Sequence, residues 1–147
     1  MRGLCLLPLM LVLTFAACGE AETEAQLGGS VATLGYSLAY DATRMRLVGG
    51  QLAIQYLDGR QIPVQVFVDV DSAELSGPMT VALPDHGNVV GDRANDTLPE
   101  LVRGQITLDA YTPSDGAPIA GRFDATVERN GREYTVYGSF RGELEVL

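Results

Sequence analysis

The sequence predicts an all-β domain: an antiparallel β-sandwich of about eight strands, with a closed β-barrel as the alternative. Three observations predict it. Beyond residue 30 the apolar residues recur with period two, the mark of strands that bury one face. Glycine, proline, asparagine and aspartate clusters interrupt these runs at the intervals of an antiparallel fold. Outside the amino-terminal apolar run, no window of about ten residues keeps a 3.6-residue period.

Each element follows from that alternation. Tyr36, Leu38 and Tyr40 share one parity, as do Leu52, Ile54 and Tyr56, and QIPVQVFVDVD carries the pattern on through Ile62, Val64, Val66, Val68 and Val70. For the last two runs to bury facing side chains, paired residue numbers must sum to an even value. A three-residue loop from Asp58 to Arg60, or a five-residue one, then pairs Tyr56 with Ile62 and Ile54 with Val64. Pro63 lacks a backbone donor and predicts a sheet edge or a bulge at that point. Phe67 falls on the polar face with Gln65 and Asp69, where an aromatic ring marks either a contact surface or a covering element; we expect the second.

Val81 and Leu83 form the next strand, and LPDHGNVVGDRANDTLPE then reads as a loop over residues 84–99, long for a compact β domain. Ile106 and Leu108, then Phe123, Ala125 and Val127, then Tyr134 and Val136, resume the alternation. Asn130-Gly131 is the strongest turn signal in the chain, a type I′ pair. It sets Val127 opposite Tyr134, Ala125 opposite Val136, Phe123 opposite Gly138 and Phe140 opposite Gly121. Each ring then covers a cross-strand glycine, while Glu128 faces Glu133 as a like-charge pair.

The amino terminus carries a different message. Arg2 precedes an apolar run from Leu4 to Phe15, and Ala16 and Ala17 lead into Cys18. This order predicts a secretory signal peptide over residues 1–17, since the run falls short of the roughly 18 to 20 residues of a membrane-spanning helix. Phe15-Ala16-Ala17-Cys18 resembles the lipobox of bacterial lipoproteins, with Phe15 where that family most often has leucine. The resemblance implies cleavage before Cys18 and three acyl chains on it. Gly19, in place of the aspartate that retains such proteins in the inner membrane, implies sorting to the outer membrane. Cys5 leaves with the leader, so Cys18 has no disulfide partner in the mature chain. A single acyl chain binds membranes with an association constant of about 10⁴ M⁻¹, whereas two or more anchor stably. Residues 18–30, which include the stretch GEAETEAQLGGS, read as an acidic tether, and residues 31–147 as the β domain.

Composition narrows the partners. All ten basic residues are arginine, and loss of Arg2 takes the formal net charge from −9 to −10. That sign repels phosphate backbones and anionic headgroups, which argues against nucleic acid and against a helix lying on the membrane. Asp69, Asp71 and Glu74 are the weak metal candidates: alternating carboxylates point one way, yet Ala73 and Glu74 break the calcium-loop pattern. We expect no metal and no cofactor. Within the predicted loop, Asp85, His86, Asp92, Asn95 and Asp96 are candidate contacts for a cation, a polar ligand or a partner, and a mobile surface loop with a solvated histidine is the reading we expect. A serine-hydrolase elbow is approached only by Gly138-Ser139-Phe140-Arg141-Gly142, with the serine one place early, and the single histidine leaves catalysis little to use.

The carboxy-terminal segment GRFDATVERNGREYTVYGSFRGELEV resembles a hairpin of small β-rich bacterial surface proteins, a likeness that implies a fold type and no activity. The expected function is that of a lipid-anchored envelope protein: a non-catalytic binding or structural module with an unknown partner, either an envelope protein or a small ligand. A small-ligand carrier with a barrel cavity is the second reading, and a hydrolase the third.

Overall fold

The computed structural model describes residues 25–73 and 79–147. The strands are β1 (Gln26–Gly28), β2 (Ala42–Val48), β3 (Gln51–Asp58), β4 (Gln61–Asp69), β5 (Met79–Leu83), β6 (Gly87–Arg93), β7 (Asp96–Thr97), β8 (Glu100–Ala110), β9 (Pro118–Arg129) and β10 (Arg132–Val146). A 3-10 turn at Ser30–Leu34 and one helical turn, α1 (Val70–Ala73), complete the described elements. The fold is all-β, and its strands form one strongly curled mixed sheet, a half-barrel. The order across it is β5-β8-β9-β10-β2-β3-β4-β6-β7, with β1 added to β10. The sheet is mixed because β10 runs parallel to β2, Leu144 to Val146 beside Met45 to Leu47; the other pairs are antiparallel.

The curl has a covalent cause. β5 lies at one end of the strand order on β8, and β6 lies near the other on β4, yet only Pro84 to His86 separate them in the chain. Leu83 and Gly87 can therefore stand no more than about 14 Å apart, and both pairings hold only if the sheet bends its ends together. The concave side buries one contiguous cluster drawn from both halves, including Leu52, Ile54, Tyr56, Val64, Val66, Val68, Ile106, Leu108, Phe123, Val127 and Val136. These are the residues of the core-facing parity. Their apolar area is the main force closing the curl, at about 25 cal/mol for each Å² removed from water.

The β9–β10 hairpin follows its predicted register throughout, from Arg132 beside Arg129 to Glu143 beside Pro118. Asn130 and Gly131 have φ of 54° and 75°, the left-handed pair that a type I′ turn requires. A Cβ on Gly138 would stand 2.7 Å from Cε1 of Phe123, and one on Gly121 would stand 2.8 Å from Cζ of Phe140. Both rings therefore lie over glycine, and both are buried.

Elsewhere the structure corrects the sequence reading. The β3–β4 pair keeps the even sum but slips by two: Tyr56 faces Val64 and Ile54 faces Val66, not Ile62 and Val64. A bulge between Tyr56 and Asp58 absorbs the difference, leaving a two-residue turn of Gly59 and Arg60 after Asp58 pairs with Gln61. Gly59, with φ of 58°, holds the first central position, where II′ turns place glycine. Pro63 sits at a register shift between β4 and β6, the bulge its missing donor demands. Phe67 is half-buried on the convex face, beside Ala53 of β3 and Asn88 of β6.

Residues 84–99 do not form a long loop. They hold β6 and β7, and Val89 and Leu98 are buried in the core. Two glycines hid this strand by diluting its alternation, and both are sites of close approach. A Cβ on Gly87 would lie 1.9 Å from the carbonyl oxygen of Phe67, and one on Gly91 equally close to that of Pro63. β1 lies in the segment read as tether, and Gln26 to Gly28 belong to the sheet through their pairing with Tyr137 to Ser139.

Candidate functional site

The five residues expected to share a partner loop are divided between the two ends of β6. Asp85 and His86 occupy the turn before it, with the His86 carbonyl accepting from the Asp69 amide. Asp92, Asn95 and Asp96 lie at the far end, about 20 Å away at strand rise. There they border two open clefts of about 350 and 300 Å³ around Arg93. Asp96 is ion-paired to Arg129 at 3.0 Å, and that hydrogen bond holds its carboxyl below the usual aspartate range. Of the metal candidates, Asp71 Oδ2 lies against Gly50, and Asp69 Oδ1 accepts from the Asp71 amide at 3.2 Å. Glu74 and Cys18 lie outside the described residues. Among the described residues no group of acidic, histidine or cysteine side chains has metal-binding geometry.

Arg93 is a structural clamp. Its guanidinium donates to the carbonyls of Ser37 at 2.8 Å and Ala39 at 2.6 Å, to Gln61 Oε1 at 3.1 Å and to the Asp58 carboxylate, with the side chain only 12% exposed. It ties the segment before β2 to the β3–β4 turn. Beside it the Tyr36 hydroxyl donates to the Pro63 carbonyl at 2.6 Å, and burial pushes the phenol up to about 12. This cluster holds the end of the curl together, with the Arg93 guanidinium committed to the fold.

The convex face of β8, β9 and β10 is built differently. Strand alternation turns Arg103, Gln105 and Thr107 of β8 outward, with Arg122, Asp124 and Thr126 of β9 and Thr135, Tyr137 and Ser139 of β10. Registers align them in rows across the strands. Gln105 faces Asp124, Asp124 faces Tyr137, and Tyr137 faces Gly28 of β1. The flanking rows are internally paired. Arg103 makes two 2.9 Å bonds to the Glu133 carboxylate, Arg122 reaches Asp109 at 3.4 Å, and the Thr80 and Thr107 hydroxyls meet at 2.9 Å. Arg103 also offsets the predicted repulsion between Glu133 and Glu128, and it holds the Glu133 carboxyl below its ordinary value.

The middle row has no such partners. Among the described residues the Gln105 amide, the Asp124 carboxylate and the Tyr137 hydroxyl make no hydrogen bond within the protein. They border two adjoining open depressions of about 310 and 570 Å³, and all three line both. Tyr137 is 52% exposed, which is high for a ring of its size, and its position is set by packing. A Cβ on Gly28 would stand 3.0 to 3.2 Å from the phenol oxygen and ring carbons, so the ring lies across β1 and would have to give by a few tenths of an ångström if that residue were alanine. Gln26 closes the rim, its amide donating to Ser139 Oγ at 3.1 Å.

Sequence reasoning missed this row, although a signal was present. Tyr137 breaks the parity of Tyr134, Val136 and Phe140 just as Phe67 breaks that of Val66 and Val68. The absent information was β1, whose glycine sets the ring. No family model, curated protein or solved structure matches the chain.

Proposed function

We propose that the chain is a lipid-anchored bacterial envelope protein, held to the outer membrane through an acylated Cys18, whose β domain is a non-catalytic binding module. The observation that carries this reading is the order of Arg2, the apolar run to Phe15, and Ala16-Ala17-Cys18, with no second cysteine after cleavage. The start of β1 adds a geometric consequence. Seven steps of chain separate residue 18 from residue 25, so the lipidated residue lies within about 25 Å of the β1 end of the domain. The module is thereby kept close to the bilayer, with the rim at Gln26 nearest the anchor in sequence.

The carrier reading needs an interior cavity, and the contiguous buried cluster inside the curl supports a packed core instead. The short join between β5 and β6 favours barrel-like closure over a two-layer sandwich. The saturated hydrogen bonding around Arg93 and the solitary histidine favour binding over catalysis. Intact-mass measurement on the membrane fraction of cells expressing the full chain tests the anchor. The expected result is loss of residues 1–17 and lipid on Cys18, with Cys18→Ser releasing the domain into the soluble fraction. A soluble product carrying a free thiol contradicts the reading.

A further inference from the structure

The geometry points to the convex row of Gln105, Asp124 and Tyr137 as a binding site for an uncharged polysaccharide, one whose sugar units carry free hydroxyls or N-acetyl groups. This names the ligand class of the module proposed above and rests on that reading. The chemistry of the row selects the class. An ionised carboxylate only accepts hydrogen bonds, so Asp124 needs a ligand rich in donors, which vicinal hydroxyls supply and phosphate or sulfate groups do not. The amide of Gln105 and the phenol of Tyr137 each donate and accept, the pattern that a hydroxyl or an N-acetyl group returns. The Tyr137 ring, lying against Gly28, offers the carbon-bound hydrogens of a sugar ring an exposed apolar surface.

Charge points the same way. The arginines beside the row are already neutralised by Glu133 and Asp109, which leaves Asp124 as the unpaired charge within it. On a chain of net charge −9 that carboxylate repels anionic polymers and headgroups, while an uncharged chain meets no penalty. The row is also open at both ends. Gln105 and Tyr137 stand two strand spacings apart, about 10 Å, and the depressions run on to Arg103 and Thr135 on one side and to Thr107 and Ser139 on the other. An open groove admits the interior of a polymer, whereas a closed pocket accepts only its end.

Sedimentation of the detergent-solubilised full-length protein with insoluble cellulose and with chitin tests the site. Retention on at least one polymer, undiminished by added salt, is expected. Tyr137→Ala should weaken it by at least about tenfold, as truncation of a central aromatic anchor does. Asp124→Ala should weaken it comparably, and Gly28→Ala, which displaces the ring without removing it, to a smaller degree. Arg60→Ala, in the turn before β4, should bind as the parent does. Unchanged melting temperatures for Tyr137→Ala and Asp124→Ala exclude a folding defect. Retention on neither polymer overturns the proposal, as does retention that survives both substitutions or falls steeply with salt. Membrane fractionation of the same cells before solubilisation separates the two readings: an anchored protein that binds no polymer refutes the glycan site alone, and a soluble protein that binds refutes the anchor alone.

Discussion

The β8–β9–β10 half of the sheet and the β3–β4–β6 half contribute to the same core but are specified by different physics. In the first half, β9 and β10 alternate strictly and meet at a turn whose two residues both have positive φ, so local chemistry fixes their register, and β8 joins β9 with shifts at Leu101–Arg103 and Leu108–Ala110. In the second, β3 is buried on both faces from Leu52 to Tyr56, and its register depends on bulges at Asp58 and Pro63 and on Arg93. Ala53 and Gln55 are buried on the outer side of β3, Gln55 through the 2.7 Å bond its amide oxygen accepts from Arg44. A locally encoded half can leave its outer face free for a ligand. In the half held by tertiary contacts, Arg93, Asp58, Gln61 and Gln55 are committed to the fold.

The largest effect that sharpens this contrast is expected from Phe123→Ala. It empties the space over Gly138 and removes the 6.0 Å ring contact with Tyr56, which should cost about 3 kcal/mol or more in denaturant unfolding. A loss below about 1 kcal/mol would mean that the rings do not cover the glycines as described. In the other half, Arg93→Ala strips four partners and leaves the Asp58 carboxylate alone, and we expect a loss of about 2 to 3 kcal/mol. Faster hydrogen exchange in β6 and β7 than in β9 should accompany it, and uniform acceleration would contradict the assignment of Arg93 to that end.

Val89→Ala should cost about 2 kcal/mol, because Val89 is 1% exposed. The same substitution in a mobile loop leaves stability unchanged, so this variant decides between strand and loop for residues 84–99. The smallest effect is that of acid. Asp96 and Glu133 are held below ordinary carboxyl values by Arg129 and Arg103. A depressed folded-state value means that the unfolded chain takes up protons first, so the stabilisation is full above the ordinary carboxyl range, near about pH 4, and is lost as pH falls through the folded-state values. Both pairs are exposed, so melting temperature should fall only slightly more from these two sites than in Arg103→Ala, Arg129→Ala protein over the same pH range.

The difference between the halves also sets what the sequence could disclose. The Asn130-Gly131 register, the rings over glycine and the bulge at Pro63 were legible because each rests on a rule spanning a few residues. The strands at residues 87–97 were not, since Gly87 and Gly91 remove side chains where the backbone of β4 comes close, and the pairing that compensates for them is non-local. β1 was hidden for a related reason: Gln26 to Gly28 has no apolar period, and its place is fixed by β10 and by the bonds of adjacent Ser30 to Thr135, more than one hundred residues away in the chain. The groove shares this origin. Tyr137 is visible as an off-parity aromatic, but the glycine that orients it belongs to a segment with the composition of a linker.

The central claim is that one curled sheet joins both halves through the short connection between β5 and β6. The most direct test is the pattern of cross-strand nuclear Overhauser effects in the folded protein. Our account predicts contacts between Phe67 and Asn88 across β4 and β6, and between Thr80 and Thr107 across β5 and β8, in the same molecule and with equal persistence. Observation of one set without the other would contradict it, because either pairing alone is compatible with an open sheet and the two together are not.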